Sequence, residues 1–256
     1  MAGRALWKGS LYFGSANVPV KLHTAIREER IQFHLLHSRD HRKLRQQMVC
    51  AYDGKSVPPE EQAKGFELEA GKYIIVDPAE LEKAVPEESR MIEVHEFVKS
   101  EEIDPVFLDR TYYLEPDSSA EGFAVLAGAL QELRVAGICT WVMRKRAYLG
   151  ALEAGGSGLR LHALRYADEV VPVQSLELEY PPLSEKELDI ACDLIAKLAA
   201  PFQPEKFEDE HQKKLRSLIA KKARGEKLLL LPPKRLKPTG PDKLLQALEA
   251  SLKKVA

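Results

Sequence analysis

A mainly β domain, an antiparallel barrel or sandwich, followed by helices is what this sequence predicts. Three features carry that expectation. Short strand-like runs, divided by glycine, proline and Asp-Gly turn signals, fill most of residues 1–180. Helical spacing interrupts them rarely. After Pro181-Pro182 the pattern turns wholly helical. Many strands with few helices between them argue against a wound α/β sheet.

The elements follow in order. "LYF" (11–13) and "VPVKLHTA" (18–25) flank a turn at Gly14–Asn17. "IQFHLLH" (31–37) is a short strand candidate. "LRQQMVCAYDGKSV" (44–57) reads as two strands joined at Asp53-Gly54, a strong hairpin signal. "GKYIIVD" (71–77) is a strand closed by Asp77-Pro78, and "PAELEKA" (78–84) a short helix. "RMIEVHEFV" (90–98) and "RTYYLEP" (110–116) are strands. "SAEGFAVLAGALQELR" (119–134) has helical spacing. The run 135–166 divides into three strands, with turns near Arg144–Arg146 and at Gly155–Gly158. Ser184 and Glu187 form a capping-box pattern ahead of a helix whose apolar side holds Leu188, Ala191, Leu194, Ile195 and Leu198. A second helix is expected over 204–225, acidic first and basic last, with Gly225 as its stop. "EKLLLLPPKRLKPTGP" (226–241) has a linker's composition. A final short helix carries Leu244, Leu245, Leu248 and Leu252 on one stripe.

Composition narrows the class. The 256 residues are 45% hydrophobic and 30% charged, as in a soluble globular protein. No apolar run approaches a membrane span, and the start lacks a signal peptide's apolar region. Cys50, Cys139 and Cys192 suit neither a disulfide framework nor a zinc ribbon, so a reducing cytoplasm is expected. The net charge of −1 hides strong segregation. Residues 61–130 hold 17 Asp/Glu against 6 Lys/Arg, and residues 211–256 hold 3 against 13. Residues 1–60 are also basic, with 10 Lys/Arg against 5 Asp/Glu.

Two basic clusters fall in the β region. Arg144, Lys145 and Arg146 occupy a turn between strands, and Arg42, Lys43 and Arg45 lie close together with Arg39. Such clusters either grip phosphates through charge or are ordinary solvated turns. His34, His37 and His41 near Cys50 suggest a metal set on paper, but on a strand His34 and His37 point to opposite faces, so no metal is expected. Tyr112, Tyr113, Trp141 and Tyr148 either stack on bases or fill the core, and the core is the commoner fate. No GxSxG, HExxH or GxxxxGK[ST] motif occurs, so no catalysis and no cofactor are expected. The rival is a Mg²⁺-dependent nuclease acting at DNA ends, drawing on the acids of 61–130.

Several stretches together carry a family resemblance. They are "LWKGSLYFGSANVPVKLHTA", "FHLLH", "VCAYDGKSVPPEEQAKGFELEAGKYIIVD", "IEVHEFVKSEEIDPVFLDRTYYLEPD", "ALRYADEV" and "LSEKELDIACDLIAKL…FQPEKFEDEHQKKL". In this order, over about residues 4–225, the chain resembles bacterial Ku, the end-binding protein of non-homologous end joining. The resemblance implies a Ku-type β-barrel core with DNA-encircling strands over 1–182, and a helical dimerisation arm over 183–225. A linker and partner-binding helix would occupy 226–256. Two chains would close a ring on a double-stranded DNA end without reading sequence. Lys21 and Arg27 would join Arg42, Lys43, Arg45 and Arg144 to Arg146 in lining it. Leu244, Leu245, Leu248 and Leu252 would face the multidomain bacterial end-joining ligase, ligase D. The site of action would be the cytoplasm, at the nucleoid. Two departures stand out. Many relatives end in a long lysine-rich tail, where this chain has "KRLK" and "LKK". It also has "AKGFEL" where relatives carry a more aromatic "VKGYEY".

Overall fold

The structure, a computed structural model, describes residues 4–118, 120–156, 158–178 and 184–225. The chain divides into two compact units, residues 1–28 with 34–172 and residues 29–33 with 173–256.

The first unit begins with β1 (Trp7–Phe13) and β2 (Ala16–Thr24), a tight antiparallel pair. β3 (Lys64–Glu69) and β4 (Lys72–Val76) form a separate two-stranded sheet. Next comes α1 (Pro78–Lys83), whose N-cap Asp77 accepts from the Ala79 amide at 2.7 Å while Glu80 accepts from the Asp77 amide at 3.1 Å. Then follow β5 (Met91–Lys99), β6 (Leu108–Pro116), α2 (Ala120–Leu133), β7 (Val135–Met143), β8 (Arg146–Gly155) and β9 (Gly158–Leu164).

Seven strands close a barrel in the order β1-β2-β6-β9-β8-β7-β5. Among the described residues its pairings are antiparallel except one: β1 runs parallel to β5, in register Ser10 to Met91. The sequence expectation was antiparallel throughout. A parallel neighbour needs a long crossover, and residues 25–90 supply it. Strand alternation fills the interior. Val18, Val20 and Leu22 of β2, Cys139, Trp141 and Met143 of β7, and Leu159, Leu161 and Ala163 of β9 are all buried. α2 adds Phe123, Leu126 and Leu130 from one stripe to the same cluster. Burial pushes the Cys139 thiol up to about 12, which keeps it protonated and unreactive.

Two expected strand regions form only short hairpins. Leu36 bridges Lys43, with the His37 and Leu44 amides donating to the Arg42 and Leu35 carbonyls, and Val49 bridges Ser56, with the Cys50 and Val57 amides donating to the Lys55 and Met48 carbonyls. The Asp53-Gly54 turn itself exists, with the Gly54 amide donating to the Cys50 carbonyl at 2.9 Å. No third strand or covered face extends it, and a lone ribbon is marginal in water. β3, which strand patterning overlooked, is exposed along its whole length.

The second unit contains α3 (Glu185–Leu198) and α4 (Glu210–Ala223). Ser184 is the N-cap of α3, but its side chain accepts no hydrogen bond, so the expected capping box is absent. α4 starts at Glu210, later than expected. Pro204–Lys206 forms a separate 3₁₀ turn, and Asp209 caps α4 by accepting from the Gln212 amide at 2.9 Å. Gly225 has φ +79°, the left-handed stop expected of it. Residues 29–33 join this unit through Ile31, whose amide donates to Gln212 Oε1 at 3.4 Å, and through Glu29, 3.5 Å from Arg216. The expected terminal helix, with Leu244, Leu245, Leu248 and Leu252, lies outside the described residues.

Candidate nucleic-acid interface

The β7–β8 hairpin turns on two residues, Arg144 and Lys145, between Met143 and Arg146, which are paired. Both turn residues have positive φ, 53° and 62°. That is the backbone of a primed two-residue turn, where Asn-Gly is the usual choice. An L side chain costs about 1 kcal/mol or more at each such position. The cost brings two cations to a rigid barrel tip.

The three cations of this turn differ in their partners. Lys145 Nζ lies 3.5 Å from Glu82 Oε1, with both side chains mostly exposed. Arg146 sits over the Tyr148 ring at 5.6 Å, and Tyr148 stacks on Trp141 at 5.1 Å. Arg144 has no carboxylate partner among the described residues and lines two clefts, one on each side of it. Trp141 and Tyr112 are core residues, 2% and 5% exposed, so base stacking by either is ruled out in this state. The Trp141 indole nitrogen is buried without a hydrogen-bond partner. Tyr113 is exposed on β6.

The remaining expected residues scatter. Lys21 on β2 reaches Asp117 at 2.9 Å and Glu115 at 3.4 Å. The Asp117 hydrogen bond raises the Lys21 pKa, so this cation is already compensated. Arg27 is exposed just past the end of β2, beside the second cleft, which Thr24, Ile26 and Glu28 help to line. Arg42 is 3.7 Å from Asp40 and otherwise projects into solvent. Lys43 and Arg45 are exposed on the same segment, and neither cleft is lined by them. His37 pairs with Asp40 at 2.7 Å. Among the described residues no three His, Cys, Asp or Glu side chains gather where they could hold a metal ion, so the nuclease alternative gains no support. Sequence reasoning did not single out Arg4, Arg90 or Arg110, which line the two clefts that Arg144 shares. Each is isolated in sequence, and only strand ends meeting at one rim bring them near Arg144.

Residues 12–190 match the family model "Ku70/Ku80 beta-barrel domain", and the closed seven-stranded barrel agrees with that description. The chain belongs to the Ku family. Named Ku proteins align along most or all of it. "Non-homologous end joining protein Ku 2" of Geotalea uraniireducens (strain Rf4) is 66% identical over 256 residues, covering 100% of both chains. "Non-homologous end joining protein Ku" of Heliobacterium modesticaldum is 37% identical, over 100% of this chain and 93% of its own. The Koribacter versatilis protein of the same name is 39% identical, over 87% of this chain and 77% of its own. Within the Ku barrel the β7–β8 tip sets three consecutive cations at one end of the hairpin. Replacing Arg144, Lys145 and Arg146 together with alanine is expected to weaken DNA binding about equally on all sequences. The slope of log K against log salt should fall by about 0.9 for each phosphate no longer neutralised. Arg144→Ala alone should account for most of the change, because Lys145 and Arg146 already have partners. An unchanged slope in folded protein would place the tip outside the DNA track.

Proposed function

We propose that this chain works as a homodimeric ring that threads onto double-strand-break ends and recruits the multidomain end-joining ligase. It carries out no chemistry itself. Its curated relatives bear the name of non-homologous end joining proteins, which supports the end-joining role. The dimer rests on one observation, the amount of apolar side chain left uncovered in a single chain. Phe33, Leu35, Met48, Tyr52, Phe66, Tyr73 and Ile75 are each 61% exposed or more, and Ile195, Phe202 and Phe207 are 68%, 80% and 75% exposed. Monomeric proteins rarely present so much, and a second copy would cover it. On this reading residues 1–182 supply the barrel and the encircling strands, 183–225 the arm, and 226–256 the linker and ligase-binding helix. Arg27, Arg42, Lys43, Arg45 and the β7–β8 tip supply charge to the ring, while Lys21 braces β2 against β6. The ring acts in the cytoplasm at the nucleoid. Among the described residues no helix is long and apolar enough to cross a membrane.

A ring has a topological signature. Gel shifts should show tight binding to linear duplex and little to the covalently closed circle of the same sequence. Equal binding to both forms would mean a coat along DNA instead of a ring on its ends. Recruitment has a separate test. Removing residues 238–256 should leave end binding intact and abolish stimulation of the ligase. Burying one leucine side chain is worth about 1.5–3 kcal/mol, so the Leu244, Leu245, Leu248 and Leu252 stripe can support micromolar docking once ordering costs are met. If ligation stays stimulated after truncation, the recruiting surface lies elsewhere.

A further inference from the structure

The seam where β1 joins β5 opens at the barrel rim into a cleft of about 530 Å³. That is the size of a small-ligand site, and it is too small for a duplex. Three strand ends build it: the start of β1 brings Trp7 and Lys8, the approach to β5 brings Arg90, and the end of β7 brings Met143 and Arg144, with Arg4 preceding β1. The chain closes tightly beneath it. The Ser10 amide donates to the Arg90 carbonyl at 2.9 Å, which fixes the backbone carrying the Arg90 side chain.

The charge in this cleft is unbalanced. Arg4, Lys8, Arg90 and Arg144 line it against one carboxylate, Glu88. Lys8 is loosely offset by Asp117 at 3.7 Å, but Arg4, Arg90 and Arg144 have no ion pair among the described residues. Elsewhere on the surface many cations are paired, as in Lys21 with Asp117, Arg165 with Asp109, Lys213 with Glu208 and Arg216 with Glu29. The neighbouring cleft makes the contrast sharper. At about 490 Å³ it is nearly the same size and shares Arg144, yet Arg110 and Arg144 there face Glu28 and Asp109. Three guanidinium groups held around one concave space repel each other until an anion enters, and phosphate matches their donor geometry. Beside them, Leu6, Met143 and the partly buried Trp7 give the cleft an apolar side.

We propose that this cleft binds a single nucleoside phosphate, the unpaired terminal nucleotide of a DNA overhang, with Arg4 and Arg90 on its phosphate, the apolar side against its base, and Arg144 at the edge shared with the duplex. The proposal rests on the end-binding reading above and adds a site for the frayed part of the end. It gives the protein a preference between end structures that a smooth ring lacks.

The test compares full-length wild-type protein with Arg90→Ala and Arg4→Ala on hairpin DNAs ending either blunt or in a short overhang. Both variants should hold the blunt end within about twofold of wild type. Affinity for the overhang should fall about tenfold, the size of one charge-assisted hydrogen bond removed. A deoxynucleoside 5′-monophosphate at millimolar concentration should compete with the overhang, and the nucleoside without phosphate should not. Equal losses on both ends would make the cleft part of the duplex track and overturn the proposal. No loss on either end would overturn it too, as would competition by the bare nucleoside equal to that of the monophosphate. If wild type fails to distinguish linear from closed DNA, the ring falls by itself, and the monophosphate competition still decides the cleft.

Discussion

Ile195→Asp with Leu198→Asp is expected to release a 28.7 kDa monomer that no longer holds linear DNA. Both side chains lie on α3, 68% and 57% exposed in the single chain. Their loss should therefore leave the barrel's own melting unchanged. In a two-fold dimer the pair occurs twice, so four buried apolar side chains go. At about 1.5–3 kcal/mol each, the sum is about 6–12 kcal/mol. A micromolar to nanomolar dimer has about 8–12 kcal/mol to lose. Light scattering should read twice the chain mass for wild type and one chain mass for the variant, and end binding should drop by more than tenfold. A variant that stays dimeric would move the interface off this face of the arm. A variant that turns monomeric yet binds ends as before would remove the ring.

Gly9→Ala is expected to break the barrel at its seam. A Cβ on Gly9 would sit 2.3 Å from the Arg90 carbonyl oxygen and 2.2 Å from the nearest Trp7 ring carbon. The indole can swing away, but the carbonyl cannot move without losing its hydrogen bond to the Ser10 amide. Overpacking of this kind costs about 3 kcal/mol or more. For a chain of this size that is a fall of about 10 °C in Tm. Adding Trp7→Ala should not restore it, because the backbone clash remains. Wild-type melting in Gly9→Ala would mean that β1 and β5 leave room between them for a methyl group.

Much of the fold could be read from residues because the signals were local. Alternation in "VAGICTWVM" and "GLRLHAL" marked β7 and β9, and their buried positions follow the same alternation. Asp77-Pro78 marked the end of β4, and the structure also uses Asp77 as the N-cap of α1. Local signals failed where stability depends on neighbours distant in sequence. The 44–57 hairpin has its turn but no sheet to join. No strand was expected over residues 61–69, yet β3 forms there against β4. The parallel β1–β5 seam carries no local sequence signature at all. The cationic site divides in the same way. The Arg144 to Arg146 cluster is contiguous and was visible, whereas Arg4 and Arg90 are 86 positions apart and meet only through the barrel's closure. Lys21 was expected to line the ring, and its partners Glu115 on β6 and Asp117 just past it could not be foreseen, because β6 pairs with β2 from far along the chain.

The strand order also governs how the protein can be made. β1 and β2 leave the ribosome first, but β2's other neighbour is β6 and β1's is β5. The cylinder cannot shut until β9 arrives, ending at Leu164. At typical synthesis rates of about 5–20 residues per second, the early hairpin spends on the order of ten seconds with both edges open. Open edges invite pairing with other nascent chains. Folding of so non-local a topology is also slow, on the scale of milliseconds to seconds. Yield in a host cell should therefore depend on translation speed and on chaperones that shield nascent strands, and slower growth temperatures should favour soluble product.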